Sequence, residues 1–337
     1  MLRRTFTTLA AGVFQKAPLG IGFLGVSHAH GAAKLETVRA NPEWRLVGVS
    51  EPGAKLAESL RARGIALLSR EELLRHPEIR AIAVESPVRD HAADGLAVLE
   101  AGKHLHLEKA PAADMAGFRK IVDAARRRKL LVQVGYMWRY HPAIARAIEA
   151  ARQGWLGRVY MVRACIGNLL EPARRQELAE FPGGVMFELG GHVIDAVTRM
   201  MGKPLKVTPF LRTDGGQDQL RDNTAAVLEW PRAIGLIHGA TLQPNSFRYR
   251  ALEVHGAGGC AIVNPIEPPV LTMDLAKPAG PYRPGVQKIE VPAYRRYVDD
   301  FVELAAAVRG ETALRVTLEE DLAVHETLLR SSGMWRG

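Results

Sequence analysis

The chain has 337 residues, of which 47% are hydrophobic and 24% are charged. This composition excludes disordered and fibrous proteins, and the length suffices for two domains with separate cores. The formal charge of +9 is spread along predicted helices instead of forming a basic strip, which argues against a nucleic-acid partner. Every apolar run is shorter than the roughly 20 residues that cross a bilayer, so no integral membrane segment is predicted.

The first 17 residues raise the question of export. Arg3, Arg4 and Phe6 resemble the start of a twin-arginine export signal. The apolar run that follows them is short, and no small-residue cleavage site ends it. We therefore predict that residues 1–17 are a tail of a cytoplasmic protein, with export through a twin-arginine signal as the alternative.

Strands alternate with helices between residues 18 and 142. This alternation predicts an α/β fold with a doubly wound parallel sheet and right-handed crossovers, which is the Rossmann arrangement. The predicted strands are 19–26, 44–50, 79–84, 104–107 and 130–134, and the predicted helices between them are 29–39, 54–63, 90–101 and 114–129.

The pattern changes after residue 142. Short strands broken by Gly, Pro and Asn between residues 205 and 291 predict an open, mostly antiparallel sheet, so we expect residues 143–310 to form an α+β domain. We expect residues 311–337 to form a C-terminal helix that packs back on the domains. The predicted helices of this half are 142–152, 185–201, 297–309 and 318–330.

The turn after the first predicted strand resembles a dinucleotide-binding loop. Gly25 allows a tight turn, so that backbone N–H groups and the next helix N-terminus can approach a pyrophosphate. Ser27 and His30 stand where the GxGxxG motif has its other glycines, and Gly31 eases helix packing one position late. His28 and His30 are also potential metal ligands, but no third ligand lies nearby in the sequence, so we predict no metal site.

Glu51 ends the second predicted strand, 26 residues after Gly25. In a Rossmann domain, an acidic side chain at this place hydrogen-bonds the adenosine ribose hydroxyls. Because a carboxylate repels a 2'-phosphate, NAD is favoured over NADP. An acidic helix start before Pro52 is the alternative interpretation.

Two further constellations suit acid–base chemistry. Lys109 ends the fourth predicted strand, where α/β folds bind ligands, and it can exchange a proton with a substrate hydroxyl. Glu188, His192 and Asp195 share one face of a predicted helix, and a carboxylate beside an imidazole can position a hydroxyl and relay its proton. A solvated lysine and a surface Glu–His pair are the respective alternatives.

The order of these segments resembles the glucose-fructose oxidoreductase, inositol dehydrogenase and rhizopine-catabolism family, written Gfo/Idh/MocA. The resemblance extends from about residue 20 to residue 332. It implies a Rossmann domain, an open-sheet domain, NAD or NADP, a sugar, cyclitol or related polyol substrate, and homo-oligomers formed through the second sheet. It also implies Lys109 as acid or base, with Glu188 and His192 in the places of the family's acid and histidine.

The resemblance also supplies the remaining site predictions. The predicted substrate-binding residues are Arg139, His141 and Asp195, with structural hydrogen bonds as the alternative for the first two. The predicted cofactor-binding residues are Gly25, Ser27, His28, His30, Glu51, Ser86, Pro87, His91, Glu108 and Lys109.

The chain departs from the family pattern at several positions. Ala110 replaces the proline that follows the family's lysine, Glu188 replaces an aspartate, and Ser27 and His30 replace glycines. The sequence also leaves the net reaction open. Dehydrogenation of an alcohol is the first hypothesis. A glycoside hydrolase or lyase that uses NAD transiently is the second, and a catalytically silent NAD-binding protein is the third.

Overall fold

The structure is a computed structural model that describes residues 16–216 and 218–336. The residues that resemble a twin-arginine signal, Arg3, Arg4 and Phe6, lie outside the described residues, so export through such a signal stays a prediction. Within the described ranges, no helix combines the length and the apolar character needed to cross a membrane.

The first sheet is parallel and lies in the N-terminal half. Its strands are β1 (Leu19–Leu24), β2 (Trp44–Ser50), β3 (Ile79–Val84), β4 (His104–Glu108) and β5 (Val132–Gly135). Their order is β2-β1-β3-β4-β5. The chain passes from β1 to β2 on one side of the sheet, and from β3 to β4 and β5 on the other side. A crevice therefore opens between β1 and β3 at their carboxyl ends, where such folds bind ligands.

Five helices accompany this sheet: α1 (Gly31–Ala40), α2 (Ala54–Ala62), α3 (Arg70–Arg75), α4 (His91–Glu100) and α5 (Met115–Arg128). Helix α5 begins where the Asp114 side chain accepts the N–H of Gly117, and it ends where Lys129 adopts a left-handed conformation. The sequence does not predict α3, because six residues are too few to show a helical repeat.

The second sheet is open and mostly antiparallel. Helices α6 (Pro142–Arg152), α7 (Pro172–Leu178) and α8 (Gly191–Met201) belong to the same half of the chain. The order of its eight strands is β13-β12-β11-β10-β6-β9-β8-β7, and only β6 and β9 pair in parallel. The strands are β6 (Val159–Gly167), β7 (Lys206–Arg212), β8 (Asn223–Trp230), β9 (Ala233–Ala240), β10 (Ala251–Gly256), β11 (Gly259–Val263), β12 (Leu271–Leu275) and β13 (Gly285–Ile289).

Two helices end the chain, α9 (Val298–Val308) and α10 (Leu318–Ser331). The indole N–H of Trp44 in β2 donates to the carbonyl of Phe301 in α9 at 2.8 Å, so α9 returns to the first sheet. Helix α10 packs against both α5 and α8. The predicted fold class, a Rossmann sheet followed by an open and mostly antiparallel sheet, is confirmed.

Candidate active site

A groove runs across the carboxyl ends of the parallel strands. Its outer part is a cavity of about 310 Å³ whose lining includes Gly25 after β1 and Ser86 after β3. Its inner part is a cavity of about 210 Å³ whose lining includes Glu188 from the second half of the chain. Ser27 and Pro87 line both parts. Five of the predicted cofactor residues therefore line this groove: Gly25, Ser27, His28, Ser86 and Pro87.

The glycine turn at the head of this groove depends on two close approaches. Gly25 has a φ of +73°, and a Cβ there would lie 2.9 Å from the Cα of Ser86. A Cβ on Gly31, the first residue of α1, would lie 2.7 Å from the carbonyl oxygen of Val26. Gly31 therefore takes the helix-packing role one position later than the third glycine of the motif.

Glu51 braces the same turn from the end of β2. One oxygen of its carboxylate accepts the N–H of Val26 at 2.9 Å, and the other accepts the N–H of Gly53 at 2.8 Å. These two bonds fix a negative charge at the outer end of the groove, beside the residues that follow β1 and β2.

Lys109 and Glu188 meet although they are 79 residues apart. The Lys109 ammonium donates to the Glu188 carbonyl oxygen at 2.8 Å and lies 3.4 Å from the Glu188 carboxylate. Lys109 is only 2% exposed, so its ammonium lies behind the groove wall that Glu188 lines. The Lys109–Ala110 peptide bond is cis.

The segment that carries Glu188 is not a regular α-helix. Residues Met186–Gly190 form a single π-helical turn that leads into α8. The helix predicted over 185–201 is present, but its first turn is π-helical, so the shared face expected from α-helical spacing is interrupted there. π-Helical turns occur frequently at functional sites because they redirect side chains.

His192 lies in an aromatic enclosure next to Lys109. It is 1% exposed, and its ring centroid is 5.7 Å from that of Trp138, 5.8 Å from that of His30 and 6.1 Å from that of Tyr136. Burial, followed by the neighbouring Lys109 charge, holds the pKa of His192 well below its usual 6.5. The imidazole is therefore neutral at pH 7 and is able to accept a proton.

The three predicted substrate-binding residues have structural partners instead. Arg139, which is buried, donates to the carboxylate of Asp195 at 2.8 Å and also to that of Asp321 in α10. His141 is buried and hydrogen-bonds the carbonyl oxygen of Ile266 at 2.7 Å. These contacts are the structural hydrogen bonds given above as the alternative for Arg139 and His141, and Asp195 is the ion-pair partner of Arg139.

Two predicted cofactor residues lie beneath the groove surface. His91 is completely buried between the carbonyl oxygens of Ala110, at 2.7 Å, and Ser86, at 2.9 Å. It ties the loop after β3 to the loop after β4. Glu108 is also completely buried. The structure therefore does not bring these two side chains to the cofactor surface.

A buried charge network, formed by Lys34, Glu85 and Glu108, lies below the groove. Lys34 is 0% exposed and donates to the Glu85 carboxylate at 2.7 Å and to the Glu108 carboxylate. Burial disfavours the ammonium, but the two carboxylates outweigh burial and raise the pKa of Lys34. The pKa of Glu85 is raised by burial, while Lys34 and His30 outweigh burial and lower the pKa of Glu108. The sequence signal for this network is a lysine on the buried face of α1, beside Leu35.

The two histidines of the glycine turn have a third potential ligand after all. One ligand atom each of His28, His30 and Glu108 lies within 4.8 Å of the others. Glu108 follows the turn by 78 residues, so the sequence does not reveal it as a third potential ligand.

A wall from the second half of the chain closes the inner cavity. It includes α7, which the sequence analysis does not predict, and the residues that follow it. Arg89 of the first half donates to the Glu180 carboxylate at 2.7 Å across the mouth, and Arg174 pairs with Glu177. Since each arginine has a carboxylate partner, this wall offers many polar groups without a surplus of charge.

Comparison with known proteins identifies the family. Residues 19–136 match the sequence profile described as "Oxidoreductase family, NAD-binding Rossmann fold", and residues 144–262 match the "GFO/IDH/MocA C-terminal domain". The chain belongs to the GFO/IDH/MocA oxidoreductase family. The resemblance inferred from the sequence is confirmed, and the first domain of this GFO/IDH/MocA oxidoreductase is an NAD(P)-binding Rossmann domain.

Several proteins of known name are similar in sequence to parts of this chain. Trans-1,2-dihydrobenzene-1,2-diol dehydrogenase of Bos taurus is 29% identical over 198 residues, which cover 57% of this chain and 57% of the bovine enzyme. Levoglucosan dehydrogenase of Pseudarthrobacter phenanthrenivorans is 22% identical over 285 residues, covering 73% of this chain and 72% of that one. The structure of GenD2 from gentamicin A biosynthesis, in complex with NAD, has a TM-score of 0.79 at 22% identity and covers 97% of both chains, which shows the shared fold.

Proposed function

We propose that this GFO/IDH/MocA oxidoreductase is an NAD-dependent dehydrogenase that moves a hydride between nicotinamide and a CH–OH carbon of a sugar, cyclitol or related polyol. The observation that carries the proposal is the contact between the buried Lys109 ammonium and Glu188, which lines the inner cavity, together with a buried, neutral His192 that lies within the influence of the Lys109 charge. The names of the bovine and Pseudarthrobacter relatives, dehydrogenases of a diol and of levoglucosan, support the same reaction class.

The groove fits a dinucleotide. At Gly25 a Cβ would collide with the Ser86 backbone, and this tight turn precedes the N-terminus of α1, where anionic phosphate groups are favoured. Gly25, Ser27, Ser86 and Pro87 are the residues that would hold the cofactor. The nicotinamide, when bound, supplies the hydride acceptor or donor.

Residues of this chain orient the substrate hydroxyl and transfer its proton. In the direction of oxidation, Lys109 exchanges its hydrogen bond to Glu188 for one to the substrate hydroxyl and orients it. His192, kept neutral by burial, accepts the hydroxyl proton. Glu188 holds Lys109 before substrate enters and lines the cavity that the polyol would occupy. This assignment makes His192 the base, a choice that the sequence leaves open.

We also propose NAD in preference to NADP. The Glu51 carboxylate is fixed by two backbone N–H groups at the end of β2, the place where an acidic side chain binds ribose hydroxyls. Because the charge cannot move away easily, a 2'-phosphate would lie close to it and be repelled.

The open face of the second sheet supports the proposal of a homo-oligomer. Phe210 of β7, Ile234 and Leu236 of β9, and Tyr160 of β6 are 54%, 45%, 41% and 48% exposed, respectively. We propose that a second copy of the chain covers this face, since patches of large apolar side chains commonly mark interfaces. Leu236→Lys should lower the mass measured by light scattering, whereas an unchanged mass would place the interface elsewhere.

The direct test is cofactor reduction, followed at the absorbance of NADH, on addition of candidate polyols. Lys109→Ala and His192→Ala should both lose activity, and circular dichroism of each variant checks that it is folded at the assay temperature. Lys120→Ala, on the exposed side of α5, is the matched control for loss of a lysine. Two active-site variants as active as the parent would contradict the assignment.

Two observations support an active enzyme over a catalytically silent NAD-binding protein. Gly31 supplies the close helix packing despite the replaced glycines, and Lys109 reaches Glu188 although Ala110 follows it. No observation favours the hydrolase or lyase alternative over net dehydrogenation.

A further inference from the structure

His30 is held by a buried carboxylate in a way that the proposed dehydrogenase reaction does not use. Its Nδ1 lies 2.9 Å from the Glu108 carboxylate. Because an ionised carboxylate only accepts hydrogen bonds, the proton of a neutral His30 is assigned to Nδ1, which leaves the lone pair on Nε2. A carboxylate that fixes an imidazole in this tautomer prepares the other nitrogen to accept a proton.

The position of His30 links this carboxylate to the proposed base. Its ring centroid lies 5.8 Å from that of His192 and 5.6 Å from that of Tyr297. The His192 residue is 1% exposed, whereas the His30 side chain is 17% exposed. A proton taken up by His192 therefore lies in an enclosed place, with a second, more exposed imidazole next to it.

The Glu108 carboxylate below His30 can stabilise a transient positive charge on the His30 imidazole. Of the two acids that Lys34 contacts, Glu85 has a raised pKa, whereas Glu108 has a lowered pKa and is the ionised carboxylate. Glu108 also contacts His30 directly, so an imidazolium at His30 would form an ion pair in a region of low dielectric constant.

We propose that His30, oriented by Glu108, is the next proton carrier after His192 and conducts the substrate proton from the enclosed site to solvent. The proposal rests on the proposed dehydrogenase function. The N–H bond of protonated His192 breaks, a bond from the proton to Nε2 of His30 forms, and Glu108 stabilises the imidazolium. His30 then releases the proton to water, and no electrons are transferred in this step. In the direction of reduction, the same groups deliver a proton.

A metal ion at the same residues is less compatible with the contacts. Nδ1 of His28 already accepts the backbone N–H of His30 at 3.2 Å. The second oxygen of Glu108 is bound by the buried Lys34 ammonium. A metal would have to displace or compete with both interactions and would add charge beside a lysine, so the observations favour proton transfer.

The pKa of His30 reflects several neighbours. Burial lowers it, and the charge and hydrogen bond of Glu108 oppose this effect. The titratable and charged groups around His30 are His28 in the same turn, Lys34 of α1, Glu108 and Lys109 at the end of β4, His192 of α8, and Tyr297 before α9.

The test compares His30→Asn and Glu108→Gln with the parent, as full-length protein with NAD and a polyol that the parent oxidises. We expect kcat to fall about tenfold or more in His30→Asn, since a positioned acid–base group contributes a factor of this order or larger. KM for NAD should stay within about twofold. Free imidazole should partly restore kcat in His30→Ala, which a purely structural role would not allow.

Glu108→Gln tests the orienting carboxylate by a route that needs no turnover. Gln keeps an acceptor oxygen, and Lys34 keeps Glu85 as a partner. The pKa of His30, followed by NMR with labelled histidine, should fall in Glu108→Gln because the imidazolium loses its counter-charge. The acid limb of the kcat profile should move to lower pH in the same variant.

A control variant and three outcomes separate a failed relay, a metal site and a failed dehydrogenase assignment. His104→Asn, at the opposite end of β4, is the control and should behave as the parent. A parental kcat and pH profile in His30→Asn, or an unchanged His30 pKa in Glu108→Gln, would overturn the relay. Visible absorption of bound Co²⁺ that disappears in both His28→Asn and His30→Asn, with activity lost to a chelator, would overturn it in favour of a metal site. Absence of turnover in the parent with every polyol would instead contradict the proposed function.

Discussion

The two ends of the groove are built differently. At the outer end, Gly25, Gly31 and Glu51 lie within 27 residues of one another and brace a single turn through backbone contacts. At the inner end, Lys109 and Glu188 come from separate halves of the chain and meet across 79 residues. The outer end is therefore a local structure that a motif describes, whereas the inner end exists only when both domains are folded and packed together.

This difference predicts that the inner end controls rate. Lys109→Ala and His192→Ala should each lower kcat about 100-fold or more, because acid–base groups contribute roughly 10²- to 10⁴-fold. The measurement is steady-state kinetics with the best polyol, with Lys120→Ala as the control. If both variants instead lost NAD affinity equally and kept the parental kcat, these residues would contribute to cofactor binding at the outer end and not to proton transfer.

The buried charge network below both ends should control stability. Lys34→Met leaves Glu85 and Glu108 without a buried cation, and breaking a buried ion pair costs about 3–5 kcal/mol of unfolding free energy. Urea denaturation measures this loss. Arg75→Ala removes a pair with Glu71 at the surface, where both side chains are mostly exposed, and should leave the midpoint unchanged. Similar midpoints for the two variants would mean that the network does not support the fold.

Gly25 in the glycine turn can be compared with Gly64, a glycine outside the turn that has a similar backbone conformation. Gly25 and Gly64 have φ values of +73° and +72°, but a Cβ at Gly64 would meet nothing within 4 Å. Both changes to Ala carry a backbone cost of about 1–2 kcal/mol. Only Gly25→Ala also pushes on Ser86, so only it should raise the Kd for NAD, by about tenfold or 1.4 kcal/mol. Equal NAD affinity in the two variants would remove the turn from the cofactor site.

Acid should destabilise the protein from about pH 6.5 downward. Burial, followed by Lys34, lowers the pKa of His106 to about 3. The imidazole of the unfolded chain binds a proton near pH 6.5, so the stability present above that pH is lost as the pH falls toward 3. Between pH 7 and pH 5, His106 alone should cost about 2 kcal/mol. His106→Asn should flatten the pH dependence of the melting temperature, and an unchanged slope would contradict this origin.

Cofactor choice is the smallest expected effect. Glu51→Gln keeps an acceptor oxygen for one of the two backbone N–H groups and removes the negative charge. The ratio of kcat/KM for NADP to that for NAD should rise about fivefold, since two nearby charges in water interact by about 1 kcal/mol. An unchanged ratio would show that Glu51 braces the turn without selecting the cofactor.

The sequence predicts the outer end of the groove well, and its limits are physical. Periodicity and turn residues predict β1 to β5 and the glycine turn, because the interactions involved are local. Lys34, Glu85 and α7 are not predicted, because their roles arise from distant partners. The π-helical turn at Met186–Gly190 also escapes an argument based on α-helical spacing. Two glycine pairs flank Glu188, Gly183–Gly184 and Gly190–Gly191, and they indicate a departure from an ordinary helix without specifying its geometry.

Transfer of deuterium from a polyol labelled at its CH–OH carbon tests the central claim most directly. The parent enzyme should place the label on the nicotinamide ring of free NADH, detected by mass spectrometry. The His192→Ala and Lys109→Ala variants should place little label there. Label that remains in the sugar while a neighbouring bond is cleaved would contradict net dehydrogenation, and absence of any label transfer with bound NAD would contradict the account of the site.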